Sequence, residues 1–302
     1  MPAGAESSYP VAGGPRQARA MILITGATGT IGGEVLRRLA ARGAAVRAMT
    51  RDPARVQAPP GVEVVAGDFD DPASLDRAVS GAGGVFLLTP GGPATERYDL
   101  AMLAAARAAQ VRTVVKLSSI GAGTPGSEVD WHGPGERALR ASGMGWTLLR
   151  PSAFASNALR WAGAVRAGEP VPNLTGTARQ GIVDPRDVAE VAVQALVAAG
   201  HDGRTYTLTG PELLSVPEQV ARLERALGRA IGTVDVPLDV AHERMLAAGT
   251  DPETAASMIK GIGVIRDGGN AVLADGVRLA LGRPPTDFGT WVADHLAAFG
   301  SA

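Results

Sequence analysis

The most constraining feature of the sequence is a glycine-rich turn between a strand pattern and a helix pattern. Residues 21–33 read MILITGATGTIGG, so an apolar β-type run leads directly into the spacing GxxGxxG. Gly26 permits a tight turn, Gly29 lets the backbone approach a pyrophosphate, and Gly32 allows the helix to pack closely on the strand. The start of that helix offers free N–H groups and a positive dipole end. The segment therefore predicts a Rossmann-type domain that binds a nicotinamide dinucleotide.

The chain after Met21 alternates β-branched runs with Ala-, Leu- and Arg-rich stretches, which is typical of βαβ units. Strands are predicted near 21–25, 45–50, 62–66, 84–88, 112–117 and 145–149, and helices near 31–42, 72–80, 96–109 and 134–142. The pattern then loosens, with strands predicted at 181–183, 205–208 and 232–236 and helices near 152–167, 185–199, 216–228, 238–248, 252–260, 269–281 and 286–299. The predicted fold class is α/β, a doubly wound parallel sheet with a smaller, mostly helical C-terminal substrate lobe.

Three regions follow from this pattern. Residues 1–20 are rich in Ala, Gly, Pro and Ser and lack the apolar run of a secretory signal, so we predict a disordered N-terminal extension. Residues 21–150 are predicted to form the NAD(P)-binding core. Residues 151–302 are predicted to complete the sheet and to form the substrate lobe.

Composition excludes several classes of function. With 29 basic and 30 acidic side chains, the net charge of −1 gives no sign of a nucleic-acid partner. The absence of cysteine excludes disulfides, thiolate metal sites and cysteine nucleophiles, and the four histidines lack metal-site spacing. No apolar run is long enough to span a membrane. We therefore expect a cytoplasmic monomer or homodimer without a metal, acting on a small molecule.

The residues after the second and third strands bear on the choice of dinucleotide. An NAD-binding turn usually has an acidic residue about 20 positions after the glycines, but this chain has Thr50 and Arg51 there. Arg51 suits a 2′-phosphate, which favours NADPH, with NAD possible. Alternatively, Arg51 is only solvated and Asp52 contacts the ribose. Asp68 and Phe69 end the third strand where adenine would lie, although an Asp before a turn is also common for local reasons.

Further motifs extend the pattern beyond the glycine turn. They are TRDP at 50–53, GDFDD at 67–71, KLSSIGA at 116–122, TLLRPSAF at 147–154 and LGRPPTDFGTWVADHLAAF at 281–299. Together with GATGTIGG, this set resembles the NmrA-like group of atypical short-chain dehydrogenases/reductases over residues 21–300. The resemblance implies an NAD(P)-binding Rossmann domain with a small C-terminal substrate lobe.

The resemblance also implies which residues contact the cofactor. Matched motif by motif, they are Gly26, Thr28, Gly29, Thr30, Ile31, Arg51, Asp68, Leu88, Thr89, Lys116 and Ser118. The first five surround the pyrophosphate, the next two lie at the 2′-phosphate and adenine, and the last two lie beside the nicotinamide ribose. Pro151 and Phe154 follow the sixth strand and are expected to form a wall against the nicotinamide ring, although Phe154 is also a candidate core residue.

The catalytic pair of typical short-chain dehydrogenases is missing. That pair is Tyr-x-x-x-Lys, but the only tyrosines are 9, 98 and 206, and none has a lysine four residues later. The helix expected to carry the pair begins near His132 and Glu136. We predict His132 as the replacement acid, because imidazole titrates near neutrality. The alternative is an ordinary surface histidine before a Pro/Gly turn.

Two polar residues around the fifth strand complete the candidate site. Ser118 is predicted to hydrogen-bond a substrate carbonyl, although Ser118 and Ser119 are equally suited to capping the turn. Lys116 lies in an apolar strand, where an unpaired ammonium is costly to bury, so we expect a ribose contact. A solvent-reaching strand edge is the alternative for Lys116.

These features favour an NAD(P)H-dependent reductase that delivers hydride to a quinone, enone, carbonyl or imine. Hydride transfer to a conjugated acceptor needs little assistance from a protein acid, so such a reaction can proceed without the Tyr-x-x-x-Lys pair. The alternatives are a non-catalytic NADP-sensing regulator and a non-redox isomerase or cyclase on the same fold. A composition rich in Ala, Gly and Arg suggests a bacterial source with a high-GC genome and a role in specialised metabolism.

Overall fold

The computed structural model describes residues 20–124 and 130–300. All but the last residue of the predicted N-terminal extension, 1–20, therefore lies outside the described residues.

A seven-stranded parallel sheet organises the molecule. The strands, in chain order, are β1 (Met21–Ile24), β2 (Val46–Thr50), β3 (Glu63–Ala66), β4 (Ala82–Leu87), β5 (Thr113–Leu117), β6 (Gly145–Pro151), β7 (Val171–Asn173), β8 (Gln180–Gly181), β9 (Arg204–Leu208), β10 (Leu213–Leu214) and β11 (Thr233–Asp235). The sheet order is β3-β2-β1-β4-β5-β6-β9, with parallel pairing throughout. This order reverses after β1, which places a crevice at the carboxyl ends of β1 and β4. The predicted doubly wound α/β fold is confirmed.

Helices cover both faces of the sheet. They are α1 (Thr30–Ala41), α2 (Pro72–Val79), α3 (Thr95–Ala108), α4 (Gly133–Arg140), α5 (Ala162–Ala167), α6 (Pro185–Val197), α7 (Val216–Leu227), α8 (Leu238–Ala247), α9 (Pro252–Arg266), α10 (Gly276–Leu281) and α11 (Phe288–His295). Helices α1 and α6 bury apolar side chains against one face, whereas α2, α3 and α4 pack on the other. Several starts combine a side-chain cap with a proline at the first turn, as at Asp71 and Asp184.

The second half of the chain completes the sheet and builds a smaller core. Strand β9 pairs with β6 at the edge of the main sheet. The remaining short strands form two separate pairs, β7 with β11 and β8 with β10. A third apolar cluster joins α5, α7 and α11 around Trp291 and Phe299. At the start of α6, the buried Asp187 accepts hydrogen bonds from the Thr286 backbone N–H at 2.6 Å and from Arg283 at 2.8 Å. These bonds attach the C-terminal region to the sheet-covering layer.

The structure differs from the predicted elements mainly after β6. The helix predicted over 152–167 is a 3₁₀ segment, Ala155–Trp161, followed by α5, because Phe154 forms a β-bridge with Val183 and keeps the backbone extended. The helix predicted over 269–281 begins only at Gly276. Gly268, at φ +86°, leaves the helical conformation after α9. Strands β7 and β10 were not predicted.

Among residues 20–124 and 130–300, no helix is long and apolar enough to cross a membrane. The same residues contain no group of three or more His, Asp or Glu side chains arranged to hold a metal ion.

Candidate functional site

The glycine turn has the geometry that a pyrophosphate requires. Gly26 has φ +63°, and its carbonyl accepts a hydrogen bond from the Gly29 N–H at 2.9 Å. A Cβ on Gly32 would lie 2.2 Å from that same carbonyl oxygen, so only glycine lets α1 start this close to the turn. Thr28, Gly29 and Thr30 are exposed, and no side chain caps α1 at its N-cap residue, Gly29. The helix start is thus open to a phosphate group, and the turn fits a dinucleotide.

A buried threonine joins this turn to the loop after β4. The Thr25 hydroxyl donates to the Leu88 carbonyl and accepts from the Leu88 N–H, both at 2.8 Å. The Leu88 side chain then lies over Gly26, where an added Cβ would be 2.7 Å from Leu88 Cδ2. Sequence reasoning missed Thr25, although its place as the last residue of MILIT, directly before the first glycine, was the available signal. Thr25 fixes the relative position of two segments predicted to line the cofactor.

The ends of β2 and β3 form an exposed polar surface. Arg51 follows β2 and is exposed, as the predicted 2′-phosphate contact requires. Asp68 Oδ1 accepts a hydrogen bond from the Asp70 N–H at 3.0 Å. This oxygen therefore stabilises the turn after β3, which is the local reason given above for an Asp at this position. Phe69 stacks on Tyr98 of α3 with ring centroids 5.3 Å apart. Contacts of Arg51, Asp68 and Phe69 with the cofactor stay predictions.

Lys116 has a different partner from the one expected. Its ammonium lies 2.6 Å from Asp99 Oδ2 of α3, and both side chains are 0% exposed. Asp99 Oδ1 also accepts a hydrogen bond from the Thr89 hydroxyl at 3.0 Å. Burial raises the pKa of Asp99 and lowers that of Lys116, while the attraction between the two charges opposes both shifts. Asp99 therefore balances the Lys116 charge, and the alternative of a solvent-reaching edge is wrong because Lys116 is 0% exposed. A contact between Lys116 and the ribose stays a prediction.

Ser118 is also engaged within the protein. Its hydroxyl donates to Oε1 of the buried Glu136 at 2.6 Å, and Arg150 Nε donates to the same oxygen at 2.8 Å. Burial raises the pKa of Glu136, but hydrogen bonds from Arg150 and Ser118 outweigh it and hold the pKa below its ordinary value. The Ser118 hydroxyl therefore donates to a carboxylate in this structure, and its hydrogen bond to a substrate carbonyl stays a prediction.

His132 directly precedes α4 in a charged environment. Its Nδ1 atom is buried and has no hydrogen-bond partner in the part of the chain that the structure describes. Burial, and secondly the charge of Lys116, lower the pKa of His132 to about 4. A pKa of about 4 leaves little imidazolium at neutral pH, and the catalytic role of His132 stays a prediction. Next to it, the Trp131 ring packs against Gly91 in the loop after β4.

Pro151 and Phe154, at the end of β6 and just beyond it, lie at this end of the crevice. Pro151 is buried as the last residue of β6. Phe154 is half-buried and forms the bridge to Val183 while packing on the core beneath α6. Both stand at the carboxyl edge beside β5, where the nicotinamide wall was predicted. Their contacts with the ring stay predictions.

The fold and the turn define a protein that binds a nicotinamide dinucleotide at the carboxyl edge of a Rossmann sheet. Residues 26–199 match the family model described as NAD(P)H-binding. The chain belongs to this family, and within it to the NmrA-like atypical short-chain dehydrogenases/reductases.

Two proteins with similar sequences are named as reductases. The chain is 42% identical over 283 residues to the (4-alkanoyl-5-oxo-2,5-dihydrofuran-3-yl)methyl phosphate reductase of Streptomyces griseus, covering 92% of this chain and 99% of that protein. It is 36% identical to the NAD(P)H azoreductase of Xenophilus azovorans, covering 93% and 100%. Among solved structures, the NADPH complex of the Escherichia coli quinone oxidoreductase QOR2 has a TM-score of 0.81 at 25% identity, covering 92% and 100%. The protein is therefore an NAD(P)H-dependent reductase.

Proposed function

We propose that this reductase prefers NADPH and reduces a conjugated C=C bond in a small, electron-poor ring compound. The first substrate to test is a 4-alkanoyl-5-oxo-2,5-dihydrofuran-3-yl methyl phosphate. The observation that carries this choice is the 42% identity to the reductase of that compound over 99% of its length. We further expect the enzyme to act in the cytoplasm, as a monomer or homodimer, without a nucleic-acid partner.

The chemistry of such a ring suits the site. When bound, NADPH supplies a hydride, which is a proton with two electrons. The ring C=C is conjugated with the lactone carbonyl and the alkanoyl carbonyl, so hydride adds at the carbon that bears the phosphorylated methyl group. Both carbonyls then share the negative charge, and a proton adds to the carbon between them. Because the acceptor itself stabilises the charge, a strong protein acid is not needed. This agrees with a site where Ser118 donates to Glu136 and His132 is neutral.

The chain's own residues mainly bind and orient the reactants. The turn from Gly26 to Ile31 holds the pyrophosphate, Arg51 pairs with the 2′-phosphate, and Leu88 and Thr89 line the middle of the cofactor. Pro151 and Phe154 support the nicotinamide face. His132 faces the acceptor from the start of α4 as a neutral hydrogen-bonding group.

The test measures NADPH binding and NADPH oxidation separately. Fluorescence titration gives the Kd values for NADPH and NADH, and loss of NADPH absorbance gives turnover with each acceptor. The acceptors are the alkanoyl dihydrofuranone phosphate, its dephosphorylated form, a benzoquinone and an azo dye. We expect the highest kcat/KM with the phosphorylated ring and a product whose ring C=C is saturated. Binding without oxidation of any acceptor would contradict the proposal, and so would a higher kcat/KM with the quinone or the dye.

A further inference from the structure

We propose that the buried Asp99–Lys116 pair positions the nicotinamide end of the site, acting on the bound reactants through Thr89 and His132. Only the activity measurement below rests on the proposed function. The binding, stability and spectroscopic measurements do not.

The pair lies at the carboxyl edge of the sheet, where the site is built. Lys116 is the penultimate residue of β5, in register with Leu87, the last residue of β4, and with Leu148 of β6. Asp99 reaches it from α3. The two charges therefore lie directly beneath the loops that follow β4 and β5.

Stability alone does not explain a buried ion pair in this place. Removing two charges from water costs several kcal/mol per ion, and apolar replacements of such pairs are often neutral or stabilising. Lys116 is surrounded by apolar strand residues, including Val114, Leu87 and Leu148 in the same core cluster. An apolar side chain at position 116 would fit this environment, so the presence of two buried charges here points to a role in the site.

The Asp99 carboxylate holds two segments of the site in place. Its Oδ1 atom accepts the Thr89 hydroxyl at 3.0 Å, which fixes the loop after β4. Its Oδ2 atom lies where a side chain of α4 would otherwise start, because a Cβ on Gly135 would be 2.1 Å from it. Helix α4 can therefore pack this closely against the Asp99 carboxylate only with a glycine at position 135. The position of His132, three residues before Gly135, follows from this contact.

The Lys116 ammonium acts on His132 through its charge. The charged groups that face His132 are Lys116 from β5, Glu136 from α4 and Asp130 from the segment before α4. The two carboxylates favour the imidazolium, whereas burial and Lys116 oppose it more strongly. Burial, with the Lys116 charge as the second contribution, thus keeps His132 neutral in the neutral pH range.

The double variant Asp99→Asn/Lys116→Met tests this role. It removes both charges at nearly constant shape, and the carbonyl oxygen of the new amide still accepts from Thr89. The matched control, Asp187→Asn/Arg283→Met, removes a different ion pair with a buried carboxylate, at the start of α6, and neither residue is assigned to the site. Urea unfolding, NADPH titration, turnover with the best acceptor and NMR titration of the histidine ring protons are measured for both variants and the unmodified protein.

For Asp99→Asn/Lys116→Met we expect a folded protein with a Kd for NADPH within about threefold of the original. We expect kcat to fall by about tenfold or more, because displacing the groups that orient the reactants by about 1 Å can cost up to about a hundredfold in rate. The NMR titration of His132 should move to higher pH, because the opposing charge is gone. The control should change neither kcat nor the His132 titration.

Unchanged kcat together with an unchanged His132 titration in the double variant would overturn the proposal, since the pair would then serve folding alone. If the double variant does not fold, two other measurements decide. His132 of the unmodified protein must titrate well below the ordinary 6.5, and Thr89→Val must lower kcat measured at saturating NADPH. Either failure overturns the proposal. If no acceptor is reduced, the proposed function fails, but the His132 titrations still test the pair.

Discussion

At the scale of single residues, Arg51 is the side chain on which the choice of dinucleotide depends. It stands exposed at the end of β2, and the only acidic neighbour in sequence, Asp52, caps the short 3₁₀ turn that follows by accepting from the Ala54 N–H. This capping role leaves the guanidinium as the group best placed for a 2′-phosphate. The proposed preference for NADPH thus depends on one exposed cation.

Replacing Arg51 with Ala should weaken NADPH binding more than NADH binding. Hydrogen bonds to charged groups contribute about 1.5–3 kcal/mol, which corresponds to roughly a ten- to hundredfold change in the Kd for NADPH. Fluorescence titration with both cofactors measures the change. Arg37→Ala, an exposed arginine on α1, is the control and should leave both Kd values unchanged. Equal losses for NADPH and NADH would contradict the assignment.

Glu136 has three hydrogen-bond donor or cationic side chains around it in the candidate site. It is 0% exposed and binds Ser118 and Arg150, with Arg140 at 3.3 Å. Because these donors favour the carboxylate, its pKa in the folded protein lies below the ordinary 4.5. A carboxyl group with a lowered pKa stabilises the fold above its ordinary pKa, and this contribution disappears as the pH falls through the folded value.

Glu136→Gln should therefore destabilise the protein most at neutral pH. We expect a loss of about 1–3 kcal/mol in the free energy of unfolding near pH 7. The difference from the unmodified protein should shrink as the pH falls below 4.5. Urea unfolding over a series of pH values measures both quantities, with the exposed Glu243→Gln as the control. A difference that stays constant with pH would show that the Glu136 charge is not responsible.

At the scale of elements, helix α1 and the glycine turn are one unit. The helix can start against the turn only because Gly32 has no side chain, and its buried face then holds Ile31, Val35 and Leu39 in the core. Helix α9 contains a glycine that no close contact requires. Gly261 lies inside that helix, and an added Cβ there would meet nothing within 4 Å. Two helical glycines in one chain therefore have opposite consequences.

Gly32→Ala should destabilise the protein and disrupt NADPH binding, since the new Cβ forces the Gly26 carbonyl to move. We expect a loss of about 1–3 kcal/mol in the free energy of unfolding, as for other overpacked sites. Gly261→Ala should instead add about 0.5–1 kcal/mol, because alanine lowers the entropy of the unfolded chain. Urea unfolding and NADPH titration distinguish the two. Similar effects of both changes would show that the close approach at Gly32 is unimportant.

Local patterns predict the elements up to β6 to within a few residues, since each has a clear period and strong boundary residues. Strands β7 and β10 span three and two residues, which is too short for a period to be detected. The site was harder to predict for a different reason. Lys116 and Asp99 lie on different elements, so neither the spacing nor the local composition shows that they meet. The low pKa of His132 likewise depends on tertiary burial.

At the scale of the whole molecule, the sheet depends on both halves of the chain. The family match ends at residue 199, before β9, yet β9 pairs with β6 along five residues. Helix α10 packs on α6 and β9, and Asp187 binds the segment around Arg283 and Thr286. The matched region therefore contains only part of the packed sheet and its covering layer.

A chain that ends at residue 200 should not fold cooperatively. Without β9, the outer edge of β6 has unpaired N–H and C=O groups and becomes an aggregation-prone edge. We expect a broad urea transition and no NADPH affinity, compared with a sharp transition for the full chain. Circular dichroism and hydrogen exchange at the β6 amides measure the difference. A truncated chain that binds NADPH as tightly as the full chain would contradict this prediction.

The position of β9 also has a consequence for biosynthesis. The ribosome releases β6 long before β9, because β7, β8 and α6 lie between them in the chain. The outer edge of β6 therefore stays unpaired in the nascent sheet while the residues between β6 and β9 are synthesised, at about 5–20 residues per second. Its closure depends on contacts between distant segments, which are slow to form. The nascent chain is consequently most exposed to chaperones and proteases in the interval before Leu208 and the C-terminal region leave the exit tunnel.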